Sequence, residues 1–285
     1  MTVLQQQGAA AKAASYTLAT AGTARKNAAL EAIAKILTER QAEWLSANAE
    51  DVAAARGAGM RPAMLDRLTL TPERVAGIVD GVRQVITLPD PIGKADKTET
   101  RPNGLMISRR RVPLGVIAII FEARPNVTVD AAALCLKSGN VCILRGGKEA
   151  IRSNRTVTAL MREALKSAGL PEDCVSLVQD TSRETANELM HLDAFVDVLI
   201  PRGGAGLIRT VAKEASVPVI RTGEGVCHLY IDSEAALDMG AEILYNAKCS
   251  RPSVCNAAEC VLVHEDVLEP FLQKAVPLLD RNHVE

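Results

Sequence analysis

The sequence predicts an α/β fold in which helices cover a parallel sheet. From residue 111 onward, short apolar runs typical of buried strands alternate with stretches of helical periodicity. Glycine-rich turns follow two of these runs, at the strand ends where open α/β sheets bind ligands. Residues 1–90 show helical patterns only, so we expect helices to precede the sheet.

Composition indicates a globular chain that does not bind nucleic acid. The 285 residues are 48% hydrophobic and 24% charged, which is typical of a packed domain. Lys+Arg 33 against Asp+Glu 34 leaves a net charge of −1, and aromatic residues make up 2%. Such a chain lacks both the positive field and the stacking platforms that nucleic acids require.

Cysteine and histidine usage favours a reducing compartment and no metal. The seven cysteines include no C-x-x-C pair, and the four histidines are scattered. The chain start does not resemble a signal peptide, and no apolar run is long enough to cross a bilayer. We therefore expect free thiols, a cytoplasmic location, no membrane partner and no metal site.

The second half of the helical region carries the clearest sequence signals for the start and the buried face of a helix. Leu30, Ile33 and Leu37 fall at helical spacing. Thr71 is a candidate N-cap and Pro72 suits the first position of a helix. One apolar stripe should follow, formed by Val75, Ile78, Val79, Val82 and Ile86. The polar stretch 94–108 predicts a loop or a pair of edge strands.

The α/β region begins with a near-continuous apolar run at 112–120, typical of a strand buried on both faces. A helix at 127–137 ends at Gly139, and a strand at 141–144 precedes a helix at 154–168. Further strands are predicted at 174–178, 195–200 and 217–220, with helices at 182–190 and 204–214.

A second unit is predicted after residue 222, so the domains are 1–222 and 223–285. The second contains a strand at 228–231, a helix at 233–248, a strand ending at His264 and a helix at 265–279. Two strands and two helices are few for an independent domain. We therefore expect an incomplete α/β domain.

The two glycine turns carry cations. Glycine lets backbone N–H groups approach an anion, and a following helix N-terminus favours negative charge. Each turn alone fits ordinary turn chemistry, since neither matches a standard phosphate-binding motif. Their repetition favours nucleotide binding. The turns are Leu144-Arg145-Gly146-Gly147-Lys148-Glu149 and Ile200-Pro201-Arg202-Gly203-Gly204-Ala205-Gly206.

Cys255 is the candidate nucleophile, in Arg251-Pro252-Ser253-Val254-Cys255-Asn256. A thiol at the start of a strand can attack an electrophilic carbonyl if its thiolate is stabilised. On residue type alone, a buried apolar role is more common. Cys135, Cys142, Cys174 and Cys260 lie in apolar runs and are predicted to be core residues.

Several blocks resemble the gamma-glutamyl phosphate reductase family of the aldehyde dehydrogenase superfamily. They are 111–117, 121–130 (Phe-Glu-Ala-Arg-Pro-Asn-Val-Thr-Val-Asp), 139–141, 144–149, 200–206 and 251–256, in order and at family-like spacing. The resemblance implies an aldehyde-dehydrogenase-like fold with a Rossmann-type sheet. It also implies NADPH-dependent reduction of L-glutamyl 5-phosphate to glutamate 5-semialdehyde, in proline biosynthesis.

The resemblance also implies roles for residues. Cys255 would be the nucleophile and Asn126 the oxyanion donor, although Asn126 alone would fit a helix N-cap. NADP(H) would contact Arg145, Gly146, Gly147, Lys148, Pro201, Gly203 and Gly204, with the two cations near the ribose 2′-phosphate. Arg124 and Arg202 would bind the anionic substrate. Full-length members would form homo-oligomers.

Two departures keep alternatives open. Hydrolytic aldehyde dehydrogenases carry a water-activating glutamate where this chain has Arg221 or Thr222, with Glu224 nearby. Family members also continue beyond residue 285. The alternatives are a catalytically silent nucleotide-binding fragment and a broader aldehyde dehydrogenase. A cysteine hydrolase is disfavoured because no histidine lies in a motif that would make it the partner base.

Overall fold

The computed structural model describes residues 1–122, 124–221, 223, 225–252 and 254–284. The chain forms two compact units, Met1–Thr222 and Gly223–Glu285. No helix in the described part of the chain combines the length and apolar character needed to span a membrane.

Five helices open the first unit, in agreement with the helical character that the sequence predicts for residues 1–90. The last of them is capped by Thr71, whose hydroxyl accepts a hydrogen bond from the backbone N of Arg74, and Pro72 takes its first position. Its apolar stripe is buried and includes Val75, Ile78, Val79 and Val82. The helices are α1 (Val3–Ala19), α2 (Thr23–Glu39), α3 (Gln41–Gly57), α4 (Pro62–Leu68) and α5 (Pro72–Thr87).

The polar stretch after α5 forms a pair of strands, β1 (Ala95–Thr100) and β2 (Met106–Arg110). They pair antiparallel in a two-stranded sheet of their own. Nearly all of their residues are exposed, so this hairpin adds little apolar burial.

The main sheet has four parallel strands in the order β5-β4-β3-β6. β3 is buried along its whole length, as its continuous apolar run predicts. The strands are β3 (Val116–Phe121), β4 (Val141–Arg145), β5 (Val175–Leu177) and β6 (Val198–Arg202), and the helices are α6 (Pro125–Lys137), α7 (Ile151–Ser167), α8 (Arg183–Met190) and α9 (Ala205–Glu214).

Two strand predictions are wrong in extent. The strand predicted from residue 112 begins at Val116, because Pro113 lacks a donor and Gly115 has a φ of 122°. There the Asp197 carboxylate accepts from the backbone N of Val116 at 2.8 Å. The strand predicted at 217–220 is reduced to one bridge between Leu199 and Val219.

The second unit is a strand–helix–strand–helix arrangement. Its two strands are parallel, and its helices pack on a small core that includes Ile231, Leu244 and Phe271. The first helix starts four residues later than predicted, because Asp232 accepts from the backbone N of Glu234 and Ala235 in a turn. The elements are β7 (Cys227–Ile231), α10 (Leu237–Cys249), β8 (Ala258–Val263) and α11 (Leu268–Asp280).

A largely buried ion pair joins α2 to the segment that follows α5. Lys26 Nζ lies 2.5 Å from Asp90 Oδ2, with side-chain exposures of 2% and 12%. Burial alone would raise the pKa of Asp90, but hydrogen bonds from Lys26, the backbone N of Ile92 and Thr23 outweigh it and lower that pKa. The low pKa of Asp90 therefore depends on these hydrogen-bond partners.

Substituting Lys26 with methionine should destabilise the first unit by about 3 kcal/mol, because a buried carboxylate loses its cation. Since the folded-state pKa of Asp90 is lowered, the unmodified protein should lose stability as pH falls below about 4, and Lys26→Met should lose less. Urea unfolding at several pH values measures both effects. Lys35→Met is the control, because Lys35 is 71% exposed and 3.9 Å from Glu39. Equal destabilisation by the two substitutions would contradict the account.

Candidate active site

The segment after β3 carries the predicted oxyanion donor. Arg124, half-buried and with extended backbone, is the N-cap residue of α6, and Pro125 takes the first helical position. Asn126 therefore lies inside the first turn, and the alternative that it is the N-cap is wrong. Its side chain points along the helix, since Nδ2 donates to Asp130 Oδ2 at 2.9 Å.

The first glycine turn faces the core at Gly146. A Cβ there would lie 2.3 Å from Asn154 Nδ2 and 3.2 Å from the Phe121 ring, so this glycine permits close packing. Gly147 caps a short 3₁₀ helix, Lys148–Ala150, and Lys148 is exposed.

The N-terminus of α7, which follows this turn, is filled by a protein carboxylate. Asp51 of α3 is buried and accepts from the backbone N of Ser153 at 2.8 Å and from its hydroxyl at 2.7 Å. A carboxylate there satisfies N–H donors at a helix N-terminus, where negative charge is favoured. Nothing in the sequence near residue 150 signals this cap, because its partner lies about a hundred residues earlier.

Arg145 supports a neighbouring loop. Its Nη2 donates to the carbonyl oxygens of Thr181 at 2.7 Å and Ser182 at 3.1 Å. Burial lowers the pKa of Arg145, while the charges of Glu149 and Asp180 act to raise it. Its Nε is buried without a hydrogen-bond partner among the described residues. This arginine therefore orders the wall of a cleft.

The cleft has a volume of about 940 Å³ and lies within the first unit. It brings together Arg145, Gly147 and Lys148 with the start of α8 and one face of α9, including Arg183, Leu207 and Val211. Pro201, Gly203 and Gly204 do not belong to its described lining. Arg183 was missed in the sequence, since an isolated arginine at a helix start carries no motif.

The second glycine turn also meets a carboxylate. Glu122, which follows β3, accepts from the backbone N of Gly204 through Oε1 at 3.3 Å. Gly204 is the N-cap residue of α9, so this carboxylate lies at a helix N-terminus. Pro201 is buried in β6, whereas Arg202 and Gly203 are exposed. The sequence does not place Glu122 here, because the two segments are distant along the chain.

The candidate nucleophile lies in the second unit, between α10 and β8. Cys255 is the one exposed cysteine of the seven, all of which are free thiols in described positions. Its carbonyl oxygen accepts a weak hydrogen bond from Cys227 Sγ at 3.6 Å. Three residues lie outside the described part of the chain: Thr222, Glu224 and Ser253. Arg221 is exposed.

The remaining cysteines lack this accessibility. Cys135, Cys142 and Cys174 are buried, as predicted, whereas Cys260 is half-buried and its prediction as a core residue is only partly right. A hydrogen bond with Cys135 and burial raise the pKa of Cys142, and burial raises the pKa of Cys174 to about 12. High thiol pKa values disfavour the thiolate, so these side chains are poor nucleophiles.

Comparison with known proteins decides the family. The sequence model of the aldehyde dehydrogenase family matches residues 4–284. The gamma-glutamyl phosphate reductase of Heliobacterium modesticaldum is 51% identical over 282 residues, covering 99% of this chain and 68% of that protein. The enzyme of that name from Clostridium perfringens strain SM101 is 55% identical over 279 residues, covering 98% and 67%. The chain belongs to the gamma-glutamyl phosphate reductases of the aldehyde dehydrogenase family.

Solved structures agree with this family and its fold. The Thermotoga maritima gamma-glutamyl phosphate reductase superposes with a TM-score of 0.90 at 42% identity, covering 99% of this chain and 68% of that one. An acetylating aldehyde dehydrogenase from Geobacillus thermoglucosidasius, at 18% identity and a TM-score of 0.73, shares the fold. The chain spans about two thirds of the length of its gamma-glutamyl phosphate reductase relatives. Family membership implies a nicotinamide cofactor.

Proposed function

We propose that this chain catalyses NADPH-dependent reduction of L-glutamyl 5-phosphate to L-glutamate 5-semialdehyde through a thioester on Cys255. The observation that carries the proposal is the exposed thiol of Cys255, three residues before β8, in a chain of this family. The same reaction places the enzyme in proline biosynthesis. A cytoplasmic location and a homo-oligomeric state are further parts of this proposal.

Cys255 attacks the acyl carbon as a thiolate, and the bond to the phosphate oxygen breaks, so phosphate leaves with its electron pair. A nicotinamide cofactor, when bound, would supply the hydride that reduces the thioester carbon. The resulting oxyanion collapses, expels the Cys255 thiolate and leaves the aldehyde. One proton from solvent balances the reaction of acyl phosphate and NADPH to aldehyde, NADP⁺ and phosphate.

Asn126 stabilises the oxyanion formed at each addition. An amide nitrogen has two N–H groups, and the bond to Asp130 uses one of them. The second remains for a reacting oxygen, which is the role proposed for it. Arg124 follows β3, and Arg202 is the last residue of β6. Both lie at the edge where open sheets bind ligands, and they would attract the substrate phosphate.

The cleft of the first unit fits a phosphorylated nucleotide. Three cations line it, Arg145 and Lys148 from the first glycine turn and Arg183 from the start of α8, and they would attract a phosphate. The lining also contains Glu122, Glu149 and Glu214. We therefore assign the cofactor to this cleft and propose NADP(H). The glycine turn at 203–204 is the weaker part of the assignment, because Glu122 takes the N–H of Gly204.

Lys148→Glu should reduce the preference for NADPH over NADH by about 10-fold or more, because a carboxylate repels the ribose 2′-phosphate that the ammonium attracts. Measuring kcat/KM with both cofactors tests this effect. Lys94→Glu is the control, since Lys94 is exposed and does not line the cleft. Equal use of both cofactors by the unmodified enzyme, or an unchanged preference in Lys148→Glu, would remove the argument.

The reaction itself is tested in the reverse direction. Glutamate 5-semialdehyde and NADP⁺ should yield more than one NADPH per enzyme only when phosphate is present, because phosphate must release the acyl group from Cys255 before another turnover. Phosphate-independent oxidation of simple aldehydes would instead identify a broader aldehyde dehydrogenase. Cofactor binding without any turnover would identify a silent nucleotide-binding chain.

A further inference from the structure

Asn126, the proposed oxyanion donor, makes a side-chain hydrogen bond to Asp130. The two residues lie one turn apart on α6, with Nδ2 and Oδ2 separated by 2.9 Å. A carboxylate accepts hydrogen bonds and does not donate them, so it can face only the nitrogen side of the amide. Asp130 therefore decides which end of the Asn126 amide points away from it.

The strength of this contact also favours a fixed geometry. A hydrogen bond to a carboxylate is shorter and stronger than one between neutral groups. Desolvation raises the pKa of Asp130, and the hydrogen bond from Asn126 acts in the opposite direction. The amide therefore stabilises the charged acceptor that orients it.

Helix stability offers only a small separate reason for an aspartate at this place, because an exposed hydrogen bond between side chains four residues apart stabilises a helix only slightly. Acidic side chains stabilise a helix within its first turn, where they meet the N-terminal partial charge. Asp130 is the sixth residue of α6, which begins at Pro125, and so lies beyond that turn. Its described contact is with the proposed oxyanion donor.

We infer that Asp130 is a positioning residue that holds the Asn126 amide with its second N–H directed at the reacting oxygen. The inference rests on the proposed function, because it assigns Asp130 an effect only through Asn126. Removing Asp130 should then lower turnover without weakening substrate binding, since a misaligned donor is lost mainly in the transition state.

The test is a double-mutant cycle with Asp130→Ala, Asn126→Ala and both together, assayed with glutamate 5-semialdehyde, NADP⁺ and phosphate. Asp130→Ala should lower kcat about 10-fold and leave KM within about twofold. The double variant should be no slower than Asn126→Ala alone. Asp130→Glu keeps a carboxylate that can only accept and should retain kcat within about threefold.

The side-chain amide resonance of Asn126 gives a readout that does not depend on turnover. It should shift in Asp130→Ala and remain near its original position in Asp130→Glu. A full kcat in Asp130→Ala, additive losses in the double variant or an unmoved resonance would overturn the inference alone. A full kcat in Asn126→Ala, or no turnover in the unmodified chain, would overturn the proposed function and the inference with it.

Discussion

Cys255→Ser should abolish reductase turnover, lowering kcat by at least roughly 10³-fold, while NADPH binding stays nearly intact. A serine hydroxyl is hardly ionised at neutral pH, so the attacking anion disappears although the side chain keeps almost the same volume. The proposed cofactor cleft lies within the first unit and its described lining includes no residue of the second, so the substitution leaves that lining unchanged. Turnover and NADPH affinity measured on one preparation separate the two effects.

Cys260→Ser is the matched control for this substitution. Cys260 lies five residues further along the chain, on β8, and is half-buried. The same atomic change there should leave most of the rate. If Cys255→Ser kept more than a few per cent of the unmodified rate, or if both variants lost activity equally, the nucleophile assignment would be wrong.

Asn126→Ala should lower kcat by roughly 10²–10³-fold, the usual cost of one oxyanion donor. Stability should change little, because Arg124 and not Asn126 is the N-cap residue of α6. Steady-state kinetics and thermal unfolding measure the two quantities. A change confined to KM would mean that Asn126 only binds substrate. A large loss of stability would mean that its role is structural.

The layout of the chain was predictable because it depends on local patterns. The buried run of β3 and the capping residues Thr71 and Pro72 each act within a few neighbours. The start of β3 was misplaced because the run 112–120 hides a break at Pro113 and Gly115. Apolar character alone does not report that break.

The site was less predictable because its contacts join distant segments. The glycine turns were expected to present free N–H groups, yet Asp51 fills the N-terminus of α7 and Glu122 takes the N–H of Gly204. Arg145 was expected to bind the cofactor, and the structure uses its Nη2 to hold a loop. Such partners become visible only when the fold brings the segments together.

Intact-mass and peptide analysis of the acyl-enzyme tests the central claim most directly. The enzyme is incubated with glutamate 5-semialdehyde and NADP⁺ in phosphate-free buffer, where the thioester cannot be released to phosphate. We predict one added glutamyl group per chain, located on Cys255 and removed when phosphate is supplied. An adduct on another cysteine, or NADPH formation with no acyl-enzyme at Cys255, would contradict the account.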